Sequence, residues 1–427
     1  MNVQAPVRGS ELVAGAGRIG IGPEWLAHTV AGGMHKVLDR IHFGLAGGSI
    51  AVTLPDGTQR LLGGRSPGFD AVVTLHDWHS LLRLATGGSV GWYQAWEAGE
   101  WSSPDPVPLF ALFMANGPSL GDTARAKGAW RLAMRGWHWL RRNTRAGSRK
   151  NIHAHYDLGN DFYAAWLDRS MSYSSAIFWD KSQPSALEQM TDALGDGQLG
   201  KVTEVVGRMQ VGSGDRALEI GCGWGMLAFA LSAKGVRVDA ISLSDEQLAS
   251  CRARMKPGDT NPAFLKRDYR DVTGQYDAIA SVEMVEALGR AYWPSFMDVI
   301  ARSLVPGGRA AIQFISIADE LFDAYAASAD FIQTYVFPGG MLIRTSEFRR
   351  LAEARGLDWV DQADFGLDYA ETLRLWRVNF DRAVEEGRLP AGFDARFVRL
   401  WRYYLMYCEG GFRGGGIDVS QVTLVKR

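Results

Sequence analysis

The sequence predicts a two-part α/β protein, with a doubly wound parallel sheet over its C-terminal two thirds and a small α+β domain in front. Three observations predict it. After residue 150, short apolar strands alternate with helices of crossover length, as in "RALEIGCGWG", "MLAFALSAKG" and "VRVDAISLS". A glycine loop joins the first of these strands to its helix. Before residue 122, a hairpin pattern and a helical pattern follow one another with no such alternation. A chain of 427 residues also suits two packed domains better than one.

Taken in order, residues 1 to about 25 are rich in glycine and small side chains and read as a loose terminus. "MNVQAPVRGSELVAG" lacks the basic and apolar regions of a secretory signal. "SIAVTLPDGTQRLLGG" alternates around Asp56-Gly57, a hairpin signal. "LHDWHSLLRLATGG" reads as a helix closed by its glycines, and the tryptophan-dense "WYQAWEAGEW" follows. Residues 1–122 are assigned to this small domain.

Residues 123–150 read as a basic, tryptophan-rich linker. From Thr123 to Tyr156 there is no acidic residue, whereas Arg125, Lys127, Arg131, Arg135, Arg141, Arg142, Arg145, Arg149 and Lys150 interleave with Trp130, Trp137 and Trp139. One reading is a solvated connector. The other is a surface that meets anionic lipid headgroups with its indoles at interface depth. Residues 151–427 form the α/β domain, where "DEQLASCRARM" is a helix with an acidic first turn and "YDAIASVEMV" and "GRAAIQFISI" are further buried strands.

Bulk properties narrow the function. The net charge of −1 argues against a nucleic-acid partner. Cys222, Cys251 and Cys408 are too dispersed for a disulfide framework or a zinc site, so no metal is expected. No run of about 20 apolar residues spans a membrane. A cytoplasmic location follows as the expectation.

The loop Glu219-Ile220-Gly221-Cys222-Gly223-Trp224-Gly225 carries the chemistry. Its glycines let the backbone approach a ligand. An acid before the glycines suits the ammonium of a methionine moiety, and the GxGxxG spacing of dinucleotide folds is absent. S-adenosylmethionine is therefore favoured over NAD. At the next strand end, Ser242 and Gln247 are candidates for the ribose hydroxyls, with Asp239 in reserve, and Ser244 with Gln247 reads equally as a helix cap. Asp268 follows the third strand position, where an acid can meet an adenine amino group.

The block "HAHYDLGNDFYAAWLDRSMSYSSAIF" resembles the opening of the catalytic domain in the cyclopropane fatty acid synthase family, which includes the mycolic acid cyclopropane synthases. The resemblance continues through "LEIGCGWG", "SVEMVEALG", "DFIQTYVFPGG", "YAETLRLWRVNF" and "RYYLMYCEGGFRGGGIDVSQVTL". It implies a Rossmann-like class I S-adenosylmethionine-dependent methyltransferase fold. It also implies methyl transfer to a cis double bond of a phospholipid acyl chain, with a carbocation that closes to a cyclopropane when a bound bicarbonate takes a proton. By motif position, Tyr173, Ser174, Glu219, Gly221, Gly223, Trp224, Gly225, Ser242, Gln247, Asp268, Tyr269 and Ser281 are implied cofactor contacts. Glu286 and Tyr369 are implied to hold the bicarbonate, with Ser175, Gln313, Ile315 and Cys408 in the same pocket. Tyr335, Phe337 and Tyr369 offer aromatic faces to a cation. A homodimer at the inner face of the membrane is implied too.

Two positions depart from the family pattern. Ser175 stands where cysteine is common, and Gln313 where histidine is common. Glutamine donates as an imidazole does but cannot titrate near neutral pH. The alternative product is a methyl- or methylene-branched chain, or a methylated diene, formed when the proton leaves a chain carbon instead.

Overall fold

The computed structural model describes residues 8, 9, 12, 31–121, 158–178, 193–328 and 330–427. The basic segment 123–150 and the start of the "HAHYDLGN" block lie outside the described residues.

Two compact units emerge, and neither is continuous in sequence. One comprises 1–142, 318–339 and 391–417; the other comprises 143–317, 340–390 and 418–427. Two segments that the sequence reading placed in the α/β domain thus pack with the N-terminal residues.

The first unit holds a four-stranded sheet in the order β2-β1-β3-β4, from Ser49–Thr53 (β1), Gln59–Gly63 (β2), Asp70–Leu75 (β3) and Trp101–Ser102 (β4). The β1–β2 pair is the predicted hairpin, closed by Leu54 and Thr58, with the Asp56 carboxylate accepting from the Thr58 N–H at 2.9 Å. The helix after β3 breaks at its glycines as expected, since Gly88 is non-helical with φ of 57° and ψ of −137°, and a second helical run continues to Ala98. In that second run a Cβ at Gly91 would lie 1.9 Å from the Arg83 carbonyl oxygen. The second run ends at Gly99, in the left-handed conformation. The glycines of "EGGFRGGG" likewise admit close packing. A Cβ at Gly410 on the helix Ala395–Arg413 would approach Phe110 to 2.4 Å, and one at Gly414 would approach the Ala111 carbonyl to 2.5 Å.

The second unit is the predicted doubly wound domain. Its seven strands run β10-β11-β9-β8-β5-β6-β7, from Arg216–Ile220 (β5), Arg237–Ser242 (β6), Ala263–Lys266 (β7), Tyr276–Val282 (β8), Leu304–Ile317 (β9), Leu357–Asp364 (β10) and Ile417–Lys426 (β11). The pairs linking β7, β6, β5, β8 and β9 are parallel, and β10 pairs antiparallel with β11. The strands read as continuous apolar runs because helices cover both faces. On one side Leu218 and Ile279 are buried; on the other Ala217, Leu227, Leu231, Val238 and Ala278 form a core with the helices Met226–Ala233 and Ala193–Met209. The order changes direction at β5, so the carboxyl ends of β5 and β8 border the crevice where ligands of such sheets bind.

Candidate active site

At the carboxyl end of β5 the glycine loop is tied to β6, with the N–H groups of Gly221 and Cys222 both donating to the Ile241 carbonyl at 3.0 Å. Gly221, Gly223 and Gly225 all take positive φ, between 51° and 84°. Gly225 is also sterically required, since a Cβ would meet the Cys251 sulfur and the Phe264 ring at 3.0 Å. Glu219 is buried beneath this loop, and its Oε2 makes no hydrogen bond. Burial pushes its pKa up to about 8, against the pull of the nearby Lys201. A buried carboxylate oxygen without a partner fits an incoming ammonium. The site thus fits the methionine moiety of S-adenosylmethionine.

Other predicted cofactor contacts frame the same end of the sheet. Ser242 donates to Gln247 Oε1 at 3.2 Å, while Ser244 caps its helix by accepting from the Gln247 N–H at 3.3 Å. Trp224 donates to Asn160 Oδ1 at 2.9 Å. Tyr173 packs among Tyr163, Trp166 and Trp376. Ser174 accepts from the buried Lys201 ammonium at 2.7 Å. Ser281 donates to the Ile220 carbonyl at 2.9 Å, which braces β8 against β5. Asp268 is clasped by Arg270 at 2.6 and 2.8 Å, and the Tyr269 hydroxyl lies 3.2 Å from Ser295 Oγ. Asp239 is not in this region. Its carboxylate accepts from Tyr276 and Arg216, which open β8 and β5 at the opposite end of the sheet.

The structure brings Ser175, Gln313 and Tyr369 together around Glu283, a residue the sequence reading did not single out, and not around Glu286. Glu283 Oε1 accepts from the Ser175 N–H and from Gln313 Nε2, each at 2.8 Å, and Oε2 accepts from the Tyr369 hydroxyl at 2.7 Å. Glu286 instead accepts from the Ile315 N–H and keeps Oε2 without a partner. Three donors that a bicarbonate would need are therefore already spent on a side-chain carboxylate. The arrangement around them does not fit a bound bicarbonate.

The polarity of this cluster is fixed from outside. Arg208 can only donate, and it does so to Gln421 Oε1 at 3.1 Å. The Gln421 amide then donates to Gln313 Oε1 at 3.0 Å, which leaves the Gln313 Nε2 to face Glu283. Arg208 is itself paired with Asp361.

The two glutamates are electrostatically distinct. Burial raises both pKa values, but the three donors and Lys201 oppose the rise at Glu283. Glu286, with one donor and Glu283 close by, is pushed up to about 8. The donors thus favour the charged form of Glu283 more than that of Glu286. Both keep intermediate surface exposure despite the dense protein around their carboxylates, as side chains that border open space do. Glu283 also holds φ at +50°, an unfavourable conformation for a residue with a Cβ.

Three predicted residues, Cys408, Tyr335 and Phe337, belong to the first unit. Cys408 lies on the helix Ala395–Arg413, its thiol pKa raised by burial and by Asp330. Tyr335 is buried against Tyr93 and Phe331 and accepts from Gln94 at 3.2 Å, while Phe337 lies 6.1 Å from the Tyr404 ring.

Residues 143–422 match the mycolic acid cyclopropane synthetase family. The chain belongs to that family. It is 37% identical over 363 residues to the tuberculostearic acid methyltransferase UfaA1 of Mycobacterium tuberculosis, covering 81% of this chain and 80% of the relative. It is 33% identical over 274 residues to the cyclopropane-fatty-acyl-phospholipid synthase of Escherichia coli K12, covering 63% of this chain and 66% of the relative. Among solved structures, the cyclopropane synthase MmaA2 from Mycobacterium tuberculosis superposes with a TM-score of 0.57 at 25% identity, over 65% of this chain and 98% of that one. The cyclopropane synthase CmaA1 complexed with SAH superposes with a TM-score of 0.58 at 26% identity, over 65% of this chain and 98% of that one. Fold and family together make this chain an S-adenosylmethionine-dependent methyltransferase with a Rossmann-like catalytic domain.

Proposed function

We propose that the protein transfers the methyl group of S-adenosylmethionine to a cis double bond in a phospholipid-bound unsaturated acyl chain. The observation that carries this reading is the Glu283–Tyr369–Gln313–Ser175 cluster beside the glycine loop. An alkene carries no acidic proton, so its methylation needs no base to activate a nucleophile. It needs a base afterwards, to discharge the cation before water attacks. An ionised carboxylate fixed by three donors and bordered by a tyrosine ring supplies that.

S-adenosylmethionine, when bound, supplies the methyl group. Glu219 holds its ammonium, and Ser242 with Gln247 face its ribose. Two products can leave one cation, a cyclopropane or a methyl-branched alkene. The sequence pattern alone favoured the ring. Two features support the branched chain instead. Gln313, a position that departs from the family pattern, holds Glu283 with its side chain, and the UfaA1 relative is named a methyltransferase rather than a ring-forming synthase. The E. coli relative supports the cyclopropane as the second reading. No helix among the described residues is long and apolar enough to cross a membrane. Lipid would then be met peripherally, with segment 123–150 as the contact and a homodimer as the assembly.

The test is incubation of the purified protein with S-adenosylmethionine and vesicles of cis-monounsaturated phospholipid, followed by mass spectrometry of the acyl chains. A chain heavier by one methylene supports the reading. Unmodified lipid, with methyl transfer to a soluble acceptor, refutes it.

A further inference from the structure

We infer that Glu283 is a resident catalytic base that occupies the anion position of this site, so that turnover needs no bicarbonate. The inference rests on the acyl-chain reading and deepens it. It starts from the donors. A backbone N–H, a primary amide and a phenol converge within 2.8 Å on one side-chain carboxylate. Such a ring of donors is an anion site, and here the anion is covalently part of the chain.

The backbone agrees. Glu283 follows directly on β8 and adopts φ of +50°, a left-handed conformation that is unfavourable for a residue with a Cβ. The turn aims its carboxylate at Ser175 and Tyr369, and the Gln313 carbonyl accepts its N–H at 2.9 Å to hold the turn. The line from Arg208 through Gln421 fixes the Gln313 amide as a donor. A histidine at residue 313 would titrate beside this carboxylate, whereas glutamine stays a neutral donor at every working pH.

The step balances. The donor C–S bond breaks as the methyl carbon bonds to one alkene carbon, which leaves the positive charge on its neighbour. Glu283 then takes one proton and becomes a carboxylic acid. The electron pair of that C–H bond forms an alkene if the proton came from a chain carbon, or closes a ring if it came from the new methyl. The acid must then return its proton to solvent before the next turnover.

The experiment compares wild type, E283Q and E283G in bicarbonate-depleted buffer and after bicarbonate is restored, with lipid product as one readout. Binding of 13C-bicarbonate followed by NMR is the second. Calorimetric S-adenosylmethionine binding confirms that each variant is folded; glutamine is isosteric and glycine relaxes the positive φ. Wild type is expected to turn over within about twofold at both bicarbonate levels and to bind no bicarbonate. E283Q should lose on the order of 100-fold, the usual share of a general base, with no rescue. E283G should bind bicarbonate and regain about tenfold of its rate with it. A wild type that binds bicarbonate or needs it, a fully active E283Q, or an E283G inert to bicarbonate overturns the inference. Absence of lipid product from wild type under both conditions removes the acyl-chain reading and the base role with it. Product formation that depends on bicarbonate removes only the base.

Discussion

Removing the Tyr369 hydroxyl isolates one of the three bonds that keep Glu283 ionised. The perturbation is Tyr369→Phe, which deletes an O–H···O⁻ bond of 2.7 Å and preserves the ring with its edge contact to Trp376. A hydrogen bond to a charged group is worth about 1.5–3 kcal/mol net. Glu283 keeps some exposure, so water replaces part of the loss and the lower end applies. At about 1.4 kcal/mol per factor of ten, the protonated form gains roughly tenfold relative to wild type. Loss of a donor to the charged form raises the carboxylate pKa, and activity needs that form. The acid limb of the kcat/KM profile therefore moves to higher pH, while the rate on the alkaline plateau changes little. The assay is lipid methylation measured across the acid limb and plateau for both proteins. A limb that superposes on wild type, or an equal drop at every pH, would refute the charge-holding role and leave Tyr369 as packing.

Three further outcomes follow from the geometry. Because Glu219 is held near pKa 8 with a vacant lone pair, binding of the S-adenosylmethionine ammonium should ionise it and release up to one proton near pH 7. Calorimetry in buffers of different ionisation enthalpy reads that proton, and Glu219→Gln should abolish it and weaken binding about tenfold or more. Gln421→Leu leaves Gln313 Oε1 buried without a donor. It should cost about 1–3 kcal/mol of stability in denaturant titration and lower kcat with little change in KM. The stability of the ligand-free protein should also depend on pH. Glu219 and Glu286 have folded pKa values of about 8, raised above the ordinary 4.5, so their contribution is complete below the unfolded value and is lost as pH rises toward 8. Lys201, depressed to about 8, acts in the opposite sense above that pH. A thermal midpoint that falls between about pH 5 and pH 8, with its minimum near 8, is the expected result, and a flat profile would contradict the assigned shifts.

The α/β unit was legible because its signals are local. The run from Arg216 to Gly225 places an apolar strand against glycines whose positive φ the structure requires. The Asp56-Gly57 hairpin was legible for the same reason. The discontinuous first unit was not, since the packing of "EGGFRGGG" against Phe110 and Ala111 joins residues about 300 apart. The helix break at Gly88 was legible because glycine ends helices by default, whereas the second run to Ala98 was not, since only the Arg83 contact shows that Gly91 admits close packing.

Within the site, Ser175, Gln313 and Tyr369 were singled out from the sequence, and Glu283, on which they converge, was not. "SVEMVEALG" offers two glutamates three residues apart, and the resemblance pointed to the second. Strand alternation could not choose between them, because Glu283 leaves β8 in a left-handed turn that resets its side-chain direction. A usable signal was present nonetheless. An acid directly after a buried parallel strand lies at the carboxyl edge where ligands bind. Of the two positions noted as unusual, Gln313 touches it with its side chain and Ser175 with its backbone N–H.

The most direct test of the central claim uses S-adenosylmethionine carrying a trideuterated methyl group, with vesicles of cis-monounsaturated phospholipid and mass analysis of the released fatty acids. Methyl transfer to the acyl double bond predicts deuterium in the chain, with all three deuterons retained when the proton leaves a chain carbon and two when it leaves the new methyl to close a ring or form a methylene branch. Acyl chains that carry no deuterium while S-adenosylmethionine is consumed would contradict the account.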